Sequence, residues 1–306
     1  MEIVCPVDKT NNTILIKEID PSVVVDLYKQ QLKNDIVFPT IKNNKIQLFR
    51  CVQCGYEFYY PFNLSGDDFF YQELEKLPWY YSDWKWEYSV VEKIIKENDS
   101  VLEIGCGAGK FIEKIKIKGA NIEGLELNSN AVKKCKEKNL SVYLDSIEEF
   151  SQKKPLFYNV VCSFQVLEHI NNVKSFLESS LKILKPGGLM IISVPNNDSF
   201  IFKQNNLCLN MPPHHMGLWN INSLIKLQDS FNIKLRNIFL EPTQREHLGF
   251  TEKIIEKKII EKMKQKHIPI LSFIKKIFVR LTNLGVSSVS EYIPGHTIIA
   301  IFKKNE

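Results

Sequence analysis

From Ser100 to Asn196, short apolar runs alternate with segments of helical spacing, and this alternation constrains the fold more than any other feature of the chain. Candidate strands are Val101–Ile104, Ile122–Leu125, Ser141–Leu144, Val160–Phe164 and Leu189–Val194. Lys110–Lys118, Ala131–Lys138 and Val173–Leu184 read as the helices between them, the last stopped by Lys185-Pro-Gly-Gly. Apolar strands separated by helices are buried on both faces, so the pattern predicts a doubly wound α/β fold around a mostly parallel sheet. Asn222–Phe231 gives a further helix, and Ile233–Leu240 and Thr297–Phe302 give two more strands, seven in all.

More than fifty residues separate those last two strands, where a short connection would suffice. Glu252–Lys266 and Leu271–Leu281 read as helices there, so a helical insertion is expected at about 245–290. Its second helix places Ile274, Ile277, Phe278 and Leu281 on one face, a stripe that must be covered by something. Residues 1–70 are turn-punctuated, with short segments at Ile46–Phe49 and Tyr56–Tyr60, and read as a small accessory lobe before a main domain at 71–306. An aromatic stretch begins that domain. Its second half carries Trp86, Val90, Val91, Ile94 and Ile95 at helical spacing.

The net charge is only +5, which gives no ground for a nucleic-acid partner. Nine Lys/Arg against three Glu crowd into 251–283, so the insertion carries most of the excess. Peripheral membrane contact or a homodimer through that segment are the partner expectations it raises. The N-terminus lacks a basic-then-apolar leader pattern, and no apolar run approaches the roughly 18 residues of a membrane span. Seven cysteines, mostly inside apolar segments, suit a reducing cytoplasm.

The first strand runs into Gly105-Cys106-Gly107-Ala108-Gly109-Lys110-Phe111. A phosphate-cradling P-loop requires a hydroxyl residue after the lysine, and Phe111 stands there. A dinucleotide turn places its third glycine at position 110, which is lysine. Glu103, two residues before the first glycine, would repel a pyrophosphate and attract a ligand carrying an ammonium and a sulfonium. The pattern E-x-G-x-G-x-G resembles the first motif of class I S-adenosyl-L-methionine (SAM)-dependent methyltransferases. The resemblance continues through GLEL, Asp145, FYNVVCSFQVLEHI and LKILKPGGLMIISVPN, five motifs in order from Val101 to Asn196.

That resemblance implies a Rossmann-like sheet whose last strand is antiparallel, and SAM as cofactor. It implies that Glu103, Gly105, Cys106, Gly107 and Gly109 cradle the cofactor, and that Glu126 takes both ribose hydroxyls with Leu127 beside it. Asp145 and Ser146 would lie at the adenine, with Phe164 and Gln165 at the end of the fourth strand. Phe164-Gln165-Val166-Leu167 is not the N-P-P-aromatic motif of base-amine methylation, no Pro-Cys occurs for pyrimidine carbon methylation, and Gln165 is not the acid of metal-dependent catechol-type enzymes.

SAM is already electrophilic, so the protein's task is to align a nucleophile and exclude water. For a hydroxyl acceptor a base helps, and imidazole has the nearest ordinary pKa. His169 follows Glu168 after the fourth strand, and His214 and His215 lie in MPPHHMGLWN after the fifth, so these three are the base candidates. Tyr80, Tyr81, Trp84 and Trp219 are the expected acceptor-facing aromatics. PPHHxxxW, the aromatic run and PGHTIIAIF together resemble methyltransferases of bacterial glycan and sugar-modification clusters, which implies a small polar acceptor such as a sugar or glycan precursor.

Cys51-Val-Gln-Cys54-Gly is half of a zinc knuckle, and Cys5-Pro-Val-Asp8 resembles the other half with aspartate in place of its second cysteine. Sugar C-methyltransferases carry a four-cysteine lobe of this kind. The expectation is a metal-free relic, with Cys5, Asp8, Cys51 and Cys54 as the metal candidates. Two alternatives to hydroxyl methylation stay open: C-methylation of a nucleotide-linked keto sugar, and a non-catalytic SAM-binding or partner-binding protein.

Overall fold

The computed structural model describes residues 3–32, 41, 44–77, 80, 84–199, 202, 207–242 and 294–306. The insertion expected at 245–290 and Tyr81 lie outside the described residues. Eleven strands are present among those described: β1 Thr13–Ile19, β2 Ile46–Cys51, β3 Glu57–Tyr60, β4 Ser100–Ile104, β5 Asn121–Leu125, β6 Val142–Tyr143, β7 Tyr158–Phe164, β8 Leu184–Pro195, β9 Gly217–Leu218, β10 Ile233–Pro242 and β11 Pro294–Lys304.

Seven of them form one sheet in the order β10-β11-β8-β7-β4-β5-β6. The pairs β4·β5, β5·β6, β4·β7 and β7·β8 are parallel, and β11 runs antiparallel to both β8 and β10. The expected seven-stranded sheet with an antiparallel last strand is therefore present. The chain builds outward from β4 through β5 to β6, then returns to place β7 on the other side of β4. Order reverses between β4 and β7, and in open α/β sheets ligands bind at such a switch point, beyond the strands' carboxyl ends.

Strand alternation divides the sheet between two cores. Leu102, Ile104, Val161, Ile192, Val194 and Ile298 face one side, while Val101, Val160, Cys162, Ile191 and Ile299 face the other. The helix Trp86–Ile94 covers the second face with Tyr88 and Val91, as its spacing predicts. Two local expectations are corrected. The helix before Lys185-Pro-Gly-Gly stops as expected, at Ile183, but the strand expected from Leu189 opens earlier, at Leu184, so these residues lie within β8, where the register shifts between Tyr158 and Val160 and Gly187 takes φ +74°. The expected helix Asn222–Phe231 is two short helices, Ile221–Ile225 and Leu227–Ser230, meeting at Lys226.

The N-terminal segment forms a second, antiparallel sheet in the order β1-β2-β3-β9. Its last strand, only two residues long, comes from the segment after β8. One face of this small sheet places Phe49, Cys51, Tyr56 and Phe58 in the main core, and the other packs Ile46, Leu48 and Tyr59 with Tyr28, Phe70, Met211 and Met216. Trp219 is fully buried at this junction, its ring 4.3 Å from that of Tyr56. No helix among the described residues is long and apolar enough to cross a membrane.

Trp219→Ala should cost about 3–5 kcal/mol of unfolding free energy, the usual loss for a large buried aromatic. Urea unfolding within 1 kcal/mol of wild type, as an order-of-magnitude threshold, would mean that the lobe and the sheet are not held together here.

Candidate active site

The turn after β4 depends on glycine. Gly105 has φ +73°, and a Cβ there would lie 2.5 Å from Val166 Cγ2, in the segment after β7. Gly109, with φ +75°, opens the helix Lys110–Ile117. Any side chain at Gly105 would separate the two strand ends at the switch point. The turn is tied to β5 by the amides of Gly105 and Cys106, which donate to Leu125 O at 2.8 and 3.0 Å.

Glu126 stands at the end of β5 and closes this turn. Its Oε2 accepts from Gly107 N at 2.8 Å and its Oε1 from Asn128 N at 2.8 Å. A carboxylate has about four acceptor positions, so two fixed amides leave one on each oxygen for a vicinal diol. Leu127 follows, 66% exposed, an apolar surface at the mouth of the turn. Asp145 pairs with Lys153 at 2.8 Å, and Ser146 caps the helix Ile147–Phe150, so both already have local partners. Cys106 is buried. Phe164 packs among Tyr88 and Phe111. Gln165 takes φ +56°, rare without glycine, held by Ser193 through its backbone amide at 2.9 Å and its side chain at 3.1 Å.

Three carboxylates lie buried at this edge: Glu87, Glu103 and Glu168. Burial raises each above its ordinary range, Glu103 strongly and Glu168 up to about 8. Lys85 opposes the shift in all three. Glu103 Oε2 and both oxygens of Glu168 have no hydrogen-bond partner among the described residues. Such acids are costly unless a cation joins them. A ligand with an ammonium and a sulfonium supplies that charge, so the turn, Glu103 and Glu126 fit SAM.

The three histidines converge as expected, with ring centroids 4.6–5.0 Å apart. They are not in an open loop, however. His214 and His215 are each 7% exposed, and burial lowers both well below the ordinary histidine range and His169 to about 4. The three base candidates thus form a packed cluster. Tyr80 Oη meets His214 Nε2 at 2.9 Å, and Tyr71 Oη meets His169 Nδ1 at 3.2 Å. Trp84 is 40% exposed, packs on Tyr88 and donates to Ser89 Oγ. Trp219, by contrast, is a packing residue beneath Tyr56. Glu87, Glu168, Tyr71 and Asn210 were not singled out by sequence. Only the Glu168-His169 pair offered a local signal, since burial of an acid leaves no mark in spacing.

In the lobe, Cys5, Asp8, Cys51 and Cys54 meet, with ligand atoms within 4.8 Å of one another. Cys5 Sγ and Cys54 Sγ are 3.7 Å apart, and Zn–S bonds of about 2.3 Å put tetrahedral sulfurs about 3.8 Å apart. Cys51 Sγ lies 3.2 Å from Asp8 Oδ2, and the amides of Val7 and Cys54 point at Cys5 Sγ and Cys51 Sγ. The aspartate therefore stands at ligand distance where a fourth thiolate would be. Cys5, Asp8, Cys51 and Cys54 could hold zinc, which would tie the N-terminus to the turn after β2.

A family profile described as a methyltransferase domain matches residues 79–236. Over 115 residues the chain is 32% identical to malonyl-[acyl-carrier protein] O-methyltransferase 2 of Ilyobacter polytropus, covering 35% of this chain and 44% of that protein. It is 36% identical over 118 residues to a ubiquinone biosynthesis O-methyltransferase of Rickettsia bellii, covering 35% and 48%. The chain thus spans about half the length of the curated relatives it matches. Among solved structures, a SAM-dependent methyltransferase of Thermotoga maritima, described as a possible histamine N-methyltransferase, is similar at 14% identity, covering 72% of this chain and 88% of that one, with a TM-score of 0.49. One from Archaeoglobus fulgidus is similar at 18% identity, covering 71% and 94%, with a TM-score of 0.47.

Burial of Glu103 has a consequence for stability. Its folded-state pKa lies above the unfolded value, so the native state keeps a proton that the unfolded state releases, and stability falls as pH rises through that window. Lys85 opposes the shift, and Glu126 and Cys135 add to it. Glu103→Gln should melt higher than wild type above neutral pH, with the difference shrinking towards acid, and should bind SAM more weakly. Coincident melting curves at every pH would show that Glu103 carries no such burden.

Proposed function

Because this chain belongs to the methyltransferase-domain family, we propose that it methylates the hydroxyl of a small polar acceptor, a sugar or glycan precursor, using SAM. The observation that carries this reading is Glu126 bridging the glycine turn and the end of β5, beside Glu103, whose Oε2 has no hydrogen-bond partner among the described residues. SAM, when bound, supplies an electrophilic methyl group. Glu126 would orient the ribose, and Glu103 would offset the cofactor's positive charge. Leu127 would cover an apolar edge. The buried histidine cluster and Tyr80 would face the acceptor and keep water from it. An oxygen acceptor is supported by the names of the curated relatives, both O-methyltransferases. The sugar class rests on the looser motif resemblance and on the aromatic side chains at this edge. A reducing cytoplasm suits seven free, buried cysteines.

C-methylation of a keto sugar is the second reading, favoured by the gathered Cys5, Asp8, Cys51 and Cys54 of the lobe. It requires removal of a carbon-bound proton, so acceptor deuterium exchange in the absence of SAM would favour it over hydroxyl transfer.

A ligand that binds only the native state at a hundred times its Kd stabilises by roughly 2.7 kcal/mol. Glu126→Ala should lose most of the SAM-induced melting shift; an unchanged shift would remove the cofactor site from this turn. Of the variants His169→Ala, His214→Ala and His215→Ala, at least one should lose about 10²–10⁴-fold in kcat while keeping the SAM shift. Near-normal kcat in all three would mean that alignment alone carries the transfer.

A further inference from the structure

Glu168 is 1% exposed, and neither of its carboxylate oxygens meets a donor among the described residues. Two imidazole nitrogens face the same oxygen: His169 Nε2 lies 3.9 Å from Oε1, and His215 Nε2 lies 4.0 Å from it. Both separations are too long for hydrogen bonds.

Contacts on the far side of each ring decide what those nitrogens present. His169 Nδ1 lies against the His214 carbonyl, which can only accept, so Nδ1 carries the hydrogen. His215 Nδ1 meets Asn210 Oδ1 at 3.1 Å. Asn210 Nδ2 donates to Asn197 Oδ1 at 2.8 Å, and Asn197 Nδ2 donates to the Trp219 carbonyl at 3.2 Å. A relay that ends on a carbonyl orients both amides and assigns the hydrogen of His215 to Nδ1. In the neutral rings, both Nε2 atoms therefore turn lone pairs towards a buried carboxylate. Lone pairs facing an ionised carboxylate repel unless a proton or a metal cation lies between them, and separations of 3.9 and 4.0 Å are too long for a proton to bridge either pair.

The spacing is close to what such a cation needs. Metal bonds to imidazole nitrogen and carboxylate oxygen of about 2.0–2.2 Å at a tetrahedral angle put ligand atoms about 3.4 Å apart, so each nitrogen closes on Oε1 by about half an ångström when the ion enters. A ring held through Nδ1–H on a carbonyl or amide oxygen, with Nε2 free, is also how metal-binding histidines are usually oriented. His214 adds a third imidazole, its ligand atom within 4.8 Å of those of the other two. Its Nε2 is engaged by Tyr80, which leaves it a flanking position.

We infer that Glu168, His169 and His215 form a binding site for a divalent first-row transition cation. The site lies just beyond Val166, the residue that touches the glycine turn. Two imidazoles and one carboxylate leave coordination positions for an acceptor oxygen. A cation there would hold the acceptor hydroxyl and make its proton easier to lose. That role, unlike the site itself, rests on the methyl-transfer reading.

The test is cobalt(II) titration of the untagged, chelator-treated full chain, followed by absorption. Cobalt in the cysteine knuckle gives a thiolate charge-transfer band, which the new site cannot give. Wild type should show a binding phase without that band, and Glu168→Gln and His215→Ala should each take up one equivalent less while retaining the band. Uptake confined to the thiolate band in wild type would overturn the site, whether or not the variants fold. So would identical uptake by wild type and both folded variants. Glu126→Ala should keep the phase without the thiolate band, so failure of the SAM reading and failure of the metal site remain distinguishable.

Discussion

The contact between Gly105 and Val166 is the constraint on which the site depends. Two adjacent parallel strands, β4 and β7, end side by side, and their following segments must diverge without separating the strand ends. Gly105 permits this by having no side chain and by taking a positive φ; Gln165 permits it from the other strand with a positive φ of its own. The Leu125 carbonyl then fastens the glycine turn to β5, and Glu126 fastens it a second time through Gly107. A turn tied on both sides presents its amides and acids in one arrangement before any ligand arrives, which reduces the ordering that binding would otherwise require.

Electrostatics at this edge run against stability. Glu87, Glu103 and Glu168 are buried, and Lys85 is the cation that acts on all of them. Glu87 accepts from Gln165 Nε2 at 3.4 Å, but Glu103 Oε2 and both Glu168 oxygens have no hydrogen-bond partner among the described residues, and selection for stability alone would replace such acids by apolar or amide side chains. Their presence at the switch point of the sheet is what a site for cationic ligands requires. In the proposed reading Glu103 would offset the cofactor's charge, whereas Glu168, 3.9 and 4.0 Å from two imidazole nitrogens, would take the ion inferred above.

The lobe is not an independent ornament on this arrangement. Its sheet borrows Gly217–Leu218 from the segment after β8, and the same segment carries His214, His215 and Trp219. Asn197 and Asn210 connect the Trp219 carbonyl to His215, so packing of the lobe junction and orientation of a site imidazole share one set of hydrogen bonds.

Much of this was legible in the sequence because it is local. The apolar runs from Val101 to Val194 mark the strands, since a strand buried on both faces has no polar alternation to hide it. The spacing of Glu103, three glycines and Glu126 marks the turn after β4, because positive φ at Gly105, Gly107 and Gly109 is adopted most readily by glycine. Tertiary structure decided what depends on residues far apart in the chain. No periodicity could reveal that Trp219 lies under Tyr56, that Pro-Gly-Gly continues a strand, or that Asp8 stands at ligand distance from Cys51. Nor could it show that Asn197 and Asn210 set the tautomer of His215. Spacing records which face of an element a residue occupies. What that face meets is set only when the β4–β7 crossover and the lobe's borrowed strand bring distant segments together.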